Sequence, residues 1–138
     1  MSNEMGGLYV IDTHVLIWYF LGSPRLKGEL KERIDDTRNR NGRILVPTIV
    51  LAEGLYVAEK GRVVLDFDEL YRLVRGDPGF EIVGFTSEIL EETARCRDIP
   101  EMHDRIIVAT ARFFGAGILT KDEIVLRFQE GQVSGPWQ

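Results

Sequence analysis

A single cysteine, Cys96, stands in the whole chain, so neither an intramolecular disulfide nor a cysteine-based zinc site can form. That suits a reducing compartment. Histidine is almost as scarce, and His14 and His103 are too few to build a zinc site alone. Long apolar runs are missing too: the longest is the seven residues Val15 to Leu21, far short of the roughly 20 that a membrane-spanning helix needs. The N-terminal Met-Ser-Asn-Glu-Met-Gly-Gly has no positive stretch ahead of an apolar one, so no secretory leader is expected. These absences predict a soluble, cytoplasmic protein without membrane contact.

Overall positive charge is also lacking. A net charge of −5 excludes non-specific coating of nucleic acid, yet the charge is unevenly placed. Between Arg25 and Arg43 seven basic residues face four acidic ones, leaving the rest of the chain strongly acidic. Lys31, Arg38 and Arg40 in this stretch are candidate phosphate contacts, set against the plainer reading of a solvated helix face.

What is present is enough for one domain over residues 1–138: 44% of the residues are hydrophobic, and domains commonly hold about 100 to 150 residues. Leu8 to Ile11 reads as a buried strand, followed by an apolar stretch too long for another strand and therefore helical. Leu26, Leu30 and Ile34 at four-residue spacing predict a helix ending near Asn41-Gly42, before a strand at Ile44 to Val46. Thr48 is expected to cap a helix that stops at Gly61, and Asp66 to Arg75 reads as another. A third strand is expected over Phe80 to Phe85, a helix over Thr86 to Arg97, a helix opened by Asp104 and running through Phe114, and a fourth strand over Gly117 to Thr120. The tail from Gly131 is weakly patterned. Strands alternating with helices predict a parallel sheet covered on both faces, a three-layer α/β/α sandwich.

Ligands of such sheets sit beyond the carboxyl ends of the strands, and acids stand there. Asp12 follows Leu-Tyr-Val-Ile directly, and Asp122 follows Gly-Ile-Leu-Thr by one residue, so both are expected on one rim. Asp104 sits in the first turn of a very apolar helix. Glu53 lies among apolar residues, on a helix expected to have no exposed face where a lone acid would normally rest. Singly, Asp12 and Asp104 also fit helix caps and Asp122 a turn. Together the four acids would repel one another in a poorly solvated place, which a hard divalent cation relieves. Mg²⁺ accepts a few carboxylates while keeping waters and substrate phosphate oxygens, and it can generate and position a hydroxide for phosphodiester hydrolysis. Thr13 and Thr120 stand beside the first and last acids, able to orient a carboxylate or to cap. Arg105 can reach a phosphate or balance the acids. His14, on a very apolar helix, is read as a core or partner-contact residue.

The segments Ile-Asp-Thr-His-Val-Leu-Ile-Trp, Leu-Ala-Glu, His-Asp-Arg-Ile-Ile-Val-Ala-Thr-Ala and Leu-Thr-Lys-Asp, in that order, resemble a PIN domain, and VapC-type toxins in particular. The resemblance runs from about Leu8 to beyond Asp122. It implies a parallel sheet of four or five strands, dependence on Mg²⁺ or Mn²⁺, and endonucleolytic cleavage of RNA. Asp12, Glu53, Asp104 and Asp122 match the family's four acids, and Thr120 the hydroxyl residue before the last. Glu101, three residues before Asp104, is a further acid at a position where some relatives carry one. For the toxin branch the resemblance also implies a homodimer and a cognate antitoxin that fills the active-site groove. Rival readings are a housekeeping RNA-processing nuclease with the same site, a non-catalytic module whose acidic pocket holds a basic peptide, and a phospho-acceptor receiver domain. The receiver reading does not explain an acid inside the helix after Thr48.

Overall fold

The computed structural model describes residues 7–133, with side chains through residue 128. The leader reading rests largely on residues 1–6, and the end of the weakly patterned tail is residues 134–138; both lie outside the described residues.

Four short strands, β1 (Leu8–Ile11), β2 (Arg43–Pro47), β3 (Phe80–Val83) and β4 (Gly117–Leu119), form one sheet in the order β3-β2-β1-β4. All neighbours are parallel, with Val10 opposite Leu45 on one side and Ile118 on the other. Val10, Ile11, Ile44, Leu45, Val46, Ile118 and Leu119 are buried, as expected of strands covered on both faces. The helices are α1 (Thr13–Leu21), α2 (Glu29–Asn39), α3 (Thr48–Lys60), α4 (Phe67–Gly76), α5 (Ser87–Arg95), α6 (Met102–Phe114) and α7 (Glu123–Val133). They flank the sheet, which accords with the expected α/β/α architecture.

The order of connection places the site. From β1 the chain steps to β2 and then β3, each beside the last, with α1 to α4 making the crossovers. After β3 it turns back across the sheet through α5 and α6 to add β4 on the far side of β1. The loops leaving β1 and β4 therefore diverge, and a crevice opens between their carboxyl ends, where such sheets hold ligands. α6, whose Ile107, Val108, Ala109 and Ala111 are fully buried, packs on β1 and β4 and so looks into the crevice with its first turn. Gly115 makes the tight exit from α6 into β4 possible, because it sits at φ +65°, which side-chain-bearing residues adopt poorly.

Several boundaries differ from expectation. Pro47 holds the cap position of α3 with φ −61° and ψ 143°, making Thr48 the first helical residue rather than the cap. α6 opens at Met102, and its cap is Glu101, whose Oε1 accepts from the Asp104 N–H at 3.3 Å; Asp104 is inside the first turn. β3 stops at Val83, and Thr86 caps α5 through the Ile89 N–H. α7 was not anticipated; it is anchored by the fully buried Val125 and includes Gly131.

Candidate active site

Asp12 is fixed from two directions at once. Its N–H adds a further rung to the β1–β4 ladder by donating to the Leu119 carbonyl at 3.0 Å, and its Oδ1 accepts from the Thr13 N–H at 2.7 Å as the cap of α1. Its other oxygen, Oδ2, accepts from Thr120 Oγ1 at 2.8 Å, and that hydroxyl in turn accepts from the Asp122 N–H at 3.0 Å. Asp122 then caps α7, its Oδ1 accepting from Ile124 and Val125 N–H groups at 2.9 and 3.0 Å. Capping and membership of the rim are thus compatible roles for both aspartates. Glu53, in the second turn of α3, is held by Thr13 Oγ1, which donates to Oε1 at 2.9 Å. Both threonines that flank the acids in sequence therefore orient a carboxylate.

These side chains border one recess of about 230 Å³ lined by Asp12, Glu53, Glu101, Asp104 and Asp122, together with His14 and His103. The four acids singled out by sequence, and Glu101, share it. Arg105 turns elsewhere: its Nε donates to the Ile99 carbonyl at 2.5 Å, closing the loop before α6.

His103 is the residue that sequence reasoning counted only against zinc. Its Nε2 lies 3.0 Å from Glu53 Oε1, 3.3 Å from Thr13 Oγ1 and 3.6 Å from Asp12 Oδ1. The Asp12 carboxylate, and after it the charges of Glu53 and Glu101, raise its pKa against the opposing effect of burial. The two carboxylates on either side thus favour the protonated imidazole. For Asp12 burial acts upward, but His103, Thr120 and the Thr13 N–H together outweigh it and lower its pKa. Asp104, only 7% exposed, has just the charge of His103 to help it. Burial first, then the charges of Asp122, Glu101 and Asp12, push it up to about 6.

Among the described residues no three of these groups converge closely enough to enclose an ion as they stand. The donor chemistry fits a hard divalent cation all the same: five carboxylates border one small recess, and burial together with the neighbouring acids disfavours the charge of Asp104 there. His103 brings positive charge between Asp12 and Glu53 when it is protonated.

The PIN domain family model matches residues 9–130. The chain belongs to the PIN domain family. PIN domains are generally metal-dependent nucleases, and the four acids lie within the matched span. No curated protein matches the sequence. Among solved structures, the chain is similar to a toxin-antitoxin complex from Klebsiella pneumoniae, at 21% identity and TM-score 0.58, over 83% of this chain and 86% of that one. It is similar also to VapBC2 from Rickettsia felis bound to a DNA fragment from their promoter, at 18% identity and TM-score 0.67, over 89% and 92%. At these identities the likeness is one of fold.

In this PIN domain side chains of the basic segment pair with acids of the same chain. α2 runs toward the start of β2, so Arg38, Arg40 and Arg43 gather at the amino end of the sheet, opposite the acidic rim. Lys31 pairs with Asp35 at 3.2 Å, Arg40 with Asp36 at 2.9 Å, and Arg43 with Glu81. Arg38 pairs with Asp77, donates to Tyr19 Oη at 2.6 Å, and lies 5.2 Å from the Phe80 ring centroid, joining α1, α2 and the start of β3. Arg38→Met, which keeps the stem and strands the partly buried Asp77 carboxylate, is expected to lower the unfolding free energy by about 2 kcal/mol in urea titrations.

Proposed function

We propose that this PIN domain, spanning the chain as a single unit, is a Mg²⁺- or Mn²⁺-dependent endoribonuclease and the toxin of a toxin–antitoxin pair. The observation that carries the nuclease reading is the convergence of Asp12, Glu53, Asp104 and Asp122, from four different elements, on one recess at the switch point of the sheet. Asp12, Glu53, Asp104 and Asp122 would hold the metal, with Glu101 able to share the role of Asp104. The bound ion would supply an activated water and offset charge on the phosphate. The chain's own part is orientation: Thr120 aims Asp12, Thr13 aims Glu53, and the caps of α1 and α7 fix the two rim aspartates.

The toxin assignment is supported by the likeness in fold to two solved structures, a toxin-antitoxin complex and VapBC2. A cognate antitoxin and a second copy of the chain are the protein partners in this reading. Leu55 and Tyr56, 41% and 57% exposed on α3, give an apolar surface such partners would cover. Action on cellular RNA places the protein in the cytoplasm, and among the described residues no helix is long and apolar enough to cross a membrane.

Purified protein is expected to cut single-stranded or looped RNA when Mg²⁺ or Mn²⁺ is present and to lose this activity with excess chelator. Gel analysis of total RNA with and without chelator checks it, and equal cutting in both would overturn the metal-dependent reading. Growth arrest on expression, relieved by a co-expressed antitoxin, distinguishes a toxin from a housekeeping nuclease.

A further inference from the structure

Beside the acidic recess lies a second one of about 200 Å³, lined by Asp12, His14, Val15, Trp18, Lys121 and Asp122. The two share Asp12, His14 and Asp122, so an acidic recess and an aromatic one adjoin at these residues. His14 and Trp18 stand four residues apart on α1 and therefore on one face, their rings 5.8 Å apart and inclined by 27°. Trp18 is half-buried and so held in place, whereas His14 is exposed. Lys121 stands over the aromatic recess, with Nζ 6.0 Å from the Trp18 ring centroid and anchored by donation to the Arg25 carbonyl at 3.2 Å.

We propose that this recess is a nucleobase subsite: it takes the base of an unpaired nucleotide next to the scissile phosphate, stacked against Trp18 and His14, with Lys121 near the backbone. The inference rests on the nuclease reading above and names how its substrate is held. Adjacency is the main reason. A phosphodiester placed at Asp12 and Asp122 leaves its attached nucleoside at the mouth of the second recess, because those two residues wall both. The size suits one ring system rather than a base pair, which restricts the substrate to single-stranded or splayed nucleotides, the usual targets of RNA recognition by stacking. The lining also sets selectivity. Val15 and the aromatic faces contact a base by its plane, while Asp12, Asp122 and Lys121 lie on the side of the phosphodiester. The subsite therefore favours a stacked base over an absent one far more than one base over another.

The test is a cycle between enzyme and substrate. A short single-stranded RNA cut by the wild type in Mg²⁺ is resynthesised with one abasic nucleotide at each position flanking the cleaved bond, and kcat/KM is measured for every substrate. For wild type, removal of one particular base is expected to lower kcat/KM about 5- to 100-fold, the range typical of losing one base–aromatic stack. Trp18→Leu, which keeps apolar bulk, is expected to show that loss already with the intact RNA and little further loss with the abasic one. His14→Ala changes an exposed side chain and reads the same coupling at a smaller size, about 3-fold, should Trp18→Leu fold poorly.

An abasic penalty that is equal in wild type and both variants overturns the subsite. So does an absence of any abasic penalty in wild type. Variants that weaken capture of a co-expressed antitoxin while keeping the full penalty reassign the recess to the protein partner and likewise overturn it. Failure of the nuclease reading looks different, since the wild type would then cut no RNA in Mg²⁺ at all.

Discussion

Asp12→Asn is expected to slow RNA cleavage at least about 100-fold while leaving the domain folded. The fold survives because asparagine can take over every structural contact of this side chain. Its oxygen can accept from the Thr13 N–H, now at 2.7 Å, and its amide can donate to Thr120 Oγ1, now at 2.8 Å. Asparagine caps helices about as well as aspartate, so α1 keeps its start. What disappears is the negative charge. A barrier increase of about 2.7 kcal/mol corresponds to a 100-fold loss, and removing a carboxylate that holds a catalytic cation is expected to reach several kcal/mol. Asp122→Asn follows the same logic, since its two contacts with Ile124 and Val125 are caps that asparagine also makes. A second readout separates charge from shape. The Asp12 carboxylate is the leading cause of the raised His103 pKa, so Asp12→Asn should bring the His103 titration seen by NMR down toward its ordinary value. Wild-type cleavage rates in both variants would remove these aspartates from the metal site.

The places where sequence and structure part have a common physical origin. Asp12 and Asp122 were legible because one directly follows a strand and the other stands three residues beyond one, and the carboxyl end of a parallel strand fixes direction without knowledge of any distant residue. The oxygens that Thr13 and Thr120 would orient were within reach of the same reasoning. His103 was not, because its neighbours Glu53 and Asp12 come from α3 and the end of β1, and only the packing of α6 against β1 brings it between them. The partners of the basic segment are hidden for the same reason: Asp77 and Glu81, which pair with Arg38 and Arg43, lie about 40 residues away in sequence. α3 shows a different limit. Its apolar composition suggested a helix with no exposed face, yet Leu55 and Tyr56 face solvent. Composition does not distinguish burial in the chain's own core from apolar surface left open.

Crowded acids were foreseen, but not which one bears the strain, and that decides the other large effect. Asp12 is compensated by His103 and its hydrogen bonds, and its lowered pKa stabilises the fold above the ordinary carboxyl range. Asp104 runs the opposite way, from 3.8 to about 6. Between those pH values the folded protein holds a proton that the unfolded chain has released, so the associated stability is full below about 3.8 and is lost as pH rises through about 6. Above pH 7 the ionised carboxylate is therefore a net burden on the metal-free fold. A shift of this size corresponds to roughly 3 kcal/mol, reduced to about 1–2 kcal/mol because the recess opens to water that screens its charges. Asp104→Asn keeps the shape without the charge. In chelator at pH 7.5 it is expected to be more stable than wild type by about 1–2 kcal/mol in urea unfolding, and this advantage should vanish by pH 4. Mg²⁺ or Mn²⁺ should reverse the order. A ligand bound only by the folded state adds about 2.7 kcal/mol at a hundredfold excess over Kd, and the wild type should receive that gain while the variant, with one ligand fewer, receives much less. The same variant should lose at least about 100-fold in cleavage rate, so that it gains metal-free stability where it loses function. An Asp104→Asn protein that is less stable than wild type in chelator at pH 7.5, and responds to metal as fully, would show that Asp104 is an ordinary residue of the α6 first turn and that the charge in the recess is balanced without a cation.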